Sequence, residues 1–221
     1  MSEPAFLAAY RGCFERTWTE DTPVERVRFV VLDSETTGLD PRTDRIITIG
    51  AVAVQDGEIL IADSFSALLK VDRNTPAVAV HGITRDQSID GMPEPRAMEL
   101  FLDYVKDGVI VGHHIGHDMA TFDAACQRHW GATLLNRSLD TMDLTLHLER
   151  DGAFAGRPPI RRFTLDALCE MFGVIPHDRH TATGDAFITA QVFLRLVRLA
   201  GKGSRRTLGG ICEPFEVAEE A

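Results

Sequence analysis

The sequence predicts an α/β fold, a mixed five-stranded sheet with helices on both faces. Three observations carry this expectation. Near-continuous apolar, β-branched runs at Val27–Asp33 and Ile46–Val54 have strand length and read as strands buried on both faces. The Asp56-Gly57 step is a hairpin signal and leads into a third strand over Glu58–Val71, so the first three strands are sequential and antiparallel. From Pro95 onward the hydrophobic period changes from that of a strand to that of a helix, and helices alternate with short strands.

Before the first strand, residues 4–18 place Phe6, Leu7, Tyr10, Phe14 and Trp18 near helical spacing, and Thr22-Pro23 breaks the pattern. Residues 1–24 are therefore expected to form a helical extension with an exposed-looking aromatic face. Pro95–Lys106 reads as a helix with Met98, Phe101, Leu102 and Val105 inward, stopped by Gly108. Val109–His113 is a short buried strand, and 117–130 a helix with Met119, Phe122, Cys126 and Trp130 as its inner stripe. Ser138–Met142 supplies the fifth strand. Thr164 is expected to cap a helix reaching Phe172, and Thr183 another reaching Ala200. The Gly-, Pro- and Arg-rich segment 151–162 reads as a surface loop, and the tail over 201–221 as flexible.

Composition excludes several functions. An apolar fraction of 44% supports a real core, and a net charge of −10 argues against coating duplex DNA by bulk positive charge. Cys13, Cys126, Cys169 and Cys212 are too widely spaced for a zinc site and too few for a disulfide scaffold, so they read as free thiols in a reducing, cytoplasmic setting. No run approaches the ~20 apolar residues of a membrane span, and the first 22 residues lack the basic start and apolar run of a secretory signal.

The chemistry sits in four acids and a histidine. Asp33 and Glu35 are two apart at the end of the first strand, so period two turns both to one face, followed by the turn Thr36-Thr37-Gly38. Adjacent carboxylates repel unless a cation neutralises them, and oxygen clusters suit Mg²⁺ or Mn²⁺. Asp118 follows the strand Val109–His113 near a helix start, and Asp185 follows Thr183, with His180 five residues before it. Taken singly, each has a bland reading: strand-end acids facing water, first-turn acids favoured by the helix dipole, a solvated loop histidine. Taken together, they gather where ligands bind in open α/β sheets, at the carboxyl ends of strands. Four such carboxylates can hold two divalent ions about 3.5–4 Å apart, the arrangement used for phosphodiester cleavage.

These residues resemble the motifs of the DEDDh 3′–5′ exonucleases, and the chain looks most like the proofreading epsilon subunit of bacterial DNA polymerase III and its stand-alone relatives. The first motif stands as Asp33-Ser34-Glu35-Thr36-Thr37-Gly38-Leu39, the second as Val111-Gly112-His113-His114-Ile115-Gly116-His117-Asp118, the third as His180-Thr181-Ala182-Thr183-Gly184-Asp185-Ala186. His81-Gly82-Ile83-Thr84, Leu139-Asp140-Thr141 and Leu165-Asp166-Ala167-Leu168 flank them in order. His114 stands where the family usually has Asn, and His117 where it usually has Phe.

The resemblance implies a ribonuclease H-like fold, with residues 25–200 as the exonuclease domain. It implies Asp33, Glu35, Asp118 and Asp185 as ligands of two divalent ions, Mg²⁺ or Mn²⁺, with His180 as general base. It implies nucleic acid 3′ ends as partner, single strands foremost, and nucleoside 5′-monophosphates as products. Thr36, Thr37, Gly38, Leu39, His81 and Phe122 are the implied contacts to the terminal nucleotide, and Arg157, Arg161, Arg162 and Arg179 are candidates for the strand's phosphates. Two other readings stay open: a catalytically weak module gripping 3′ ends or a polymerase partner through the N-terminal helix, and a dimeric exonuclease for RNA or short oligonucleotides.

Overall fold

The computed structural model describes residues 3–72, 76–156, 162–201 and 205–213. The strands are β1 (Phe29–Thr36), β2 (Ile46–Gln55), β3 (Glu58–Leu68), β4 (Val109–Gly112) and β5 (Ser138–Asp140). The helices are α1 (Ala5–Gly12), α2 (Val78–His81), α3 (Arg85–Ser88), α4 (Glu94–Val105), α5 (Gly116–Trp130), α6 (Thr141–Arg150), α7 (Leu165–Phe172), α8 (Ala182–Ala200) and α9 (Leu208–Cys212). They build one mixed sheet in the order β3-β2-β1-β4-β5. β1 runs antiparallel to β2 and parallel to β4, and β5 runs parallel to β4. Asp56 and Gly57 both take positive φ between β2 and β3, the backbone that a two-residue hairpin needs.

The pleat of β1 decides which layer each side chain joins. Phe29 and Val31 enter a core with Leu144 and Leu148 of α6, Leu168 of α7 and Phe193 and Leu196 of α8. Val30 and Leu32 enter the opposite core with Met98 and Phe101 of α4 and Phe122 and Ala125 of α5. The same alternation continues into the polar end of the strand, so Asp33 and Glu35 share the α8 side and Ser34 the α5 side.

Several expectations need correction. The N-terminal helix ends at Gly12 and gives way to a short 3₁₀ turn over Cys13–Arg16, so it does not run to Trp18. Its aromatic face is not free. Leu7 and Tyr10 are buried in the α4–α5 core, the Tyr10 hydroxyl donates to Asn136 Oδ1 at 2.5 Å, and Phe6 packs edge-on against Trp130. α8 is capped by Thr181 rather than Thr183, with its hydroxyl accepting the Gly184 N–H at 3.2 Å. Part of the tail is packed: Leu208 and Ile211 of α9 are buried, and Thr207 bridges Pro23. Residues 214–221 lie outside the described residues, as do Arg157 and Arg161. Helix α6 had no counterpart in the sequence reading. No described helix is long and apolar enough to cross a membrane.

Candidate active site

β1 delivers Asp33 and Glu35 to the edge of the α8 layer, and the first turn of α8 delivers Asp185. One carboxylate oxygen from each of the three lies within 4.8 Å of the others. These are hard oxygen donors from two rigid elements, the donor chemistry that Mg²⁺ and Mn²⁺ take.

Asp118 comes from the other side of the sheet. It sits in the first turn of α5, only 8% exposed, and accepts the Ser34 hydroxyl on Oδ1 at 2.5 Å. It is not one of the close trio. The loop leading to it is fixed by Asp140, whose carboxylate accepts the backbone N–H groups of His114, Ile115 and Met142 at 2.8–3.1 Å. One side chain thus ties the start of α5 to the start of α6.

The electrostatics of the site are strained in one direction. Burial, followed by the charges of Asp118, Asp185 and Glu35, holds the Asp33 carboxyl well above the ordinary carboxylate range. Burial and the charges of Asp185 and Asp118 push Glu35 up to about 7. Burial raises Asp118 to about 6 against the Ser34 hydrogen bond, which lowers it. Arg179 is the opposing charge: it lowers both Asp33 and Glu35, and its guanidinium pairs with Asp185 Oδ1 and, at 2.8 Å, with Asp166 Oδ1. The expected set of residues fits a divalent cation on this ground, since the structure crowds ionisable oxygens whose mutual repulsion a bound cation relieves.

His180 precedes Asp185 in a tight loop with φ of 62°, and its backbone N–H donates to Asp185 Oδ2 at 3.1 Å. Its ring is exposed. The turn after β1 is knitted together: Thr36 Oγ1 donates to the Gly38 carbonyl at 2.7 Å, and buried Thr37 donates to Asp44 Oδ1 at 2.7 Å while accepting the Arg45 N–H. Leu39 stands out of this turn, 86% exposed. His81 is buried at the end of α2, its Nδ1 accepts the Ile83 N–H at 3.0 Å, and its Nε2 has no partner among the described residues. Burial lowers its pKa, and an Nδ1 that accepts a hydrogen bond leaves the proton of a neutral ring on Nε2.

Phe122 does not line a base pocket. It is 0% exposed, packed edge-to-face on Phe101 with centroids 4.8 Å apart in the α4–α5 core. Phe122→Ala is expected to cost about 3–5 kcal/mol of stability, the range for emptying a buried phenylalanine site. Denaturant unfolding would measure the loss, and an unchanged KM for oligonucleotide in the folded fraction would separate core from substrate contact.

Sequence reasoning missed two residues here. Ser34 lies between two recognised acids, yet nothing in the sequence says that its hydroxyl meets Asp118 on the other face. Arg179 stood only among the phosphate candidates, and its ion pairs with Asp185 and Asp166 needed the loop geometry.

Comparison with known proteins identifies the family. The exonuclease family model (RNase_T) matches residues 30–193. An epsilon-like protein of DNA polymerase III from Rhodobacter capsulatus is 33% identical over 86% of this chain and 27% of its own length. The DNA polymerase III epsilon subunit of Aquifex aeolicus is 28% identical over 76% of this chain and 80% of its own. A PolC-type DNA polymerase III from Thermotoga petrophila is 33% identical over 85% of this chain, which spans only 13% of that relative's length. Among solved structures, E. coli exonuclease I in complex with a dT13 oligonucleotide superposes with a TM-score of 0.65 over 80% of this chain and 42% of the other, at 20% identity, a likeness of ribonuclease H-like fold. With its three motifs brought to one end of one sheet and a family match across 30–193, this chain belongs to the exonuclease family, in its DEDDh 3′–5′ branch.

Proposed function

We propose that the chain hydrolyses the terminal phosphodiester at nucleic acid 3′ ends and releases nucleoside 5′-monophosphates, with two divalent ions, Mg²⁺ or Mn²⁺, held by Asp33, Glu35, Asp118 and Asp185. The observation that carries this reading is the trio of carboxylate oxygens from β1 and α8, with Asp118 poised beside it. Bound ions would supply an acidified water and charge stabilisation for the leaving 3′-oxygen. The chain supplies the rest. His180 takes the proton of the attacking water, and the bond from its backbone to Asp185 ties the base to a ligand. Asp118, held through Oδ1 by Ser34, completes the ligand set. Leu39 packs on the last base, the Thr36-Thr37-Gly38 turn offers its backbone to the terminal nucleotide, and His81 offers a neutral Nε2–H donor.

Single-stranded DNA is the favoured substrate. A chain of net charge −10 has little positive surface to grip two phosphate backbones, whereas one strand can be held largely by stacking, worth about 1–3 kcal/mol per base. The test uses 5′-labelled single-stranded DNA, duplex DNA with a 3′ mismatch, and RNA, each with Mn²⁺, Mg²⁺ or EDTA. A metal-dependent ladder shortening from the 3′ end, fastest on single-stranded DNA, is expected. His180→Ala should collapse turnover while Mn²⁺ binding persists. No shortening of any substrate by folded, metal-loaded protein would overturn the reading.

A further inference from the structure

Both oxygens of Asp185 are engaged by the chain itself. Oδ2 accepts the His180 backbone N–H, and Oδ1 is paired with Nη1 of Arg179. The same guanidinium donates through Nε to Asp166 Oδ1 at 2.8 Å. The two anchors differ in setting: the Asp185 side chain is 10% exposed inside the acidic site, and the Asp166 side chain is 66% exposed at the start of α7. A planar guanidinium contacts the two carboxylates through different N–H groups, so it can leave one without losing the other.

We propose that Arg179 is the built-in counter-ion of the metal-free site: it occupies Asp185 Oδ1 when no divalent ion is bound, competes with the ion for that oxygen, and withdraws onto Asp166 when the ion arrives. This rests on the metal-site reading above and makes Arg179 a positioning residue. The charges balance fully only with ions bound. Without ions, one guanidinium offsets part of four crowded carboxylates. With two divalent ions, four carboxylates meet four positive charges, and Arg179 keeps Asp166 as its own partner.

The competing idea is that Arg179 is a splint, holding Asp185 in a ligating pose. The two predict opposite signs. Mn²⁺ binding to the full chain, followed by electron paramagnetic resonance of free Mn²⁺ without nucleic acid, separates them. Arg179→Gln is expected to bind Mn²⁺ about tenfold more tightly, a change within the reach of one charge-assisted hydrogen bond. Asp166→Asn, which removes the place of withdrawal, is expected to bind it several-fold more weakly, and the double variant to regain the tight binding. In EDTA, Arg179→Gln should melt below wild type, with a larger upward shift on adding Mn²⁺. A wild-type chain that binds Mn²⁺ and an Arg179→Gln variant that binds it no more tightly overturn the competition alone. A folded wild-type chain that binds no Mn²⁺ overturns the metal reading, and the competition with it.

Discussion

Asp33→Asn is expected to lower 3′–5′ exonuclease turnover by on the order of 10³-fold or more and, in the same protein without metal, to raise the melting temperature. The first effect follows from removing a charge that is needed to hold a cation where charge develops during hydrolysis. The second follows from the cost of that charge when no cation is present. Asp33 is raised by burial and then by the charges of Asp118, Asp185 and Glu35, so the folded protein is better off without it. A pH signature accompanies this. Unfolded carboxyls ionise near ~4, whereas folded Asp118 and Glu35 are pushed up to about 6 and about 7. Between those limits the folded chain keeps protons that the unfolded chain has lost, so the stability of the metal-free protein falls as pH rises from about 4 through about 7. Divalent ions bind only the ionised oxygens, so their stabilising effect grows over the same window. Thermal melts at several pH values, in EDTA and in Mn²⁺, read both trends, and Asn at 33 should flatten the first. Wild-type turnover in Asp33→Asn, or a metal-free melting point that climbs with pH, would contradict the assignment.

Gly50→Ala is expected to damage fold and activity together. Gly50 lies opposite Asp33 in the β1–β2 ladder. A methyl group there would stand 2.3 Å from the Ala182 carbonyl carbon and 2.3 Å from the Thr183 nitrogen, backbone atoms at the start of α8. Neither a central strand nor a capped helix end yields easily. The cost is placed at about 3 kcal/mol, the upper end for forcing extra volume into a packed interior. The displaced element is the one that carries Asp185, and a shift of ~1 Å in a catalytic group can cost about 10²-fold in rate. Gly12→Ala, where nothing lies within 4 Å of the added carbon, is the control and should be silent. Chemical denaturation and turnover on the same preparations measure both losses. A variant with wild-type stability would mean that α8 can ride further from the sheet than its contacts imply.

How far the sequence leads depends on what kind of information each residue carries. The sheet and its acids were legible because a buried strand needs a continuous apolar run, and β1 ends in carboxylates whose alternation puts both on one face. Helix α6 was hidden for a related reason. Met142, Leu144, Leu146 and Leu148 alternate at a strand's period, while four of the five residues it buries, Thr141, Leu144, Thr145 and Leu148, fall at helical spacing, with His147 the fifth. Its start is fixed by Asp140, whose side chain accepts the Met142 N–H, a bond that hydrophobic pattern does not register. Phe122 illustrates a different limit. It belongs to the inner stripe of α5 and the motif analogy offered it to the substrate, and only the packing of Phe101 against its ring decides between them. Of the N-terminal aromatics only Phe6 and Tyr10 lie on the helix, with Phe14 in the 3₁₀ turn and Trp18 beyond it, and what covers the helix face is a property of distant chain, here α4, Trp130 and Asn136.

The acids reach the site from three places in the chain, and this has a consequence for the protein's birth. Asp33 and Glu35 leave the ribosome early, Asp118 midway, and Asp185 with helix α8, about 150 residues after Glu35. At ~5–20 residues per second, the last ligand follows the first by roughly 8–30 s. Until α8 docks on β1 and β2, a growing chain holds an unfinished acidic centre. The order of synthesis therefore sets the order of assembly: the two acids of β1 wait for a helix made later in the chain before the close trio can form.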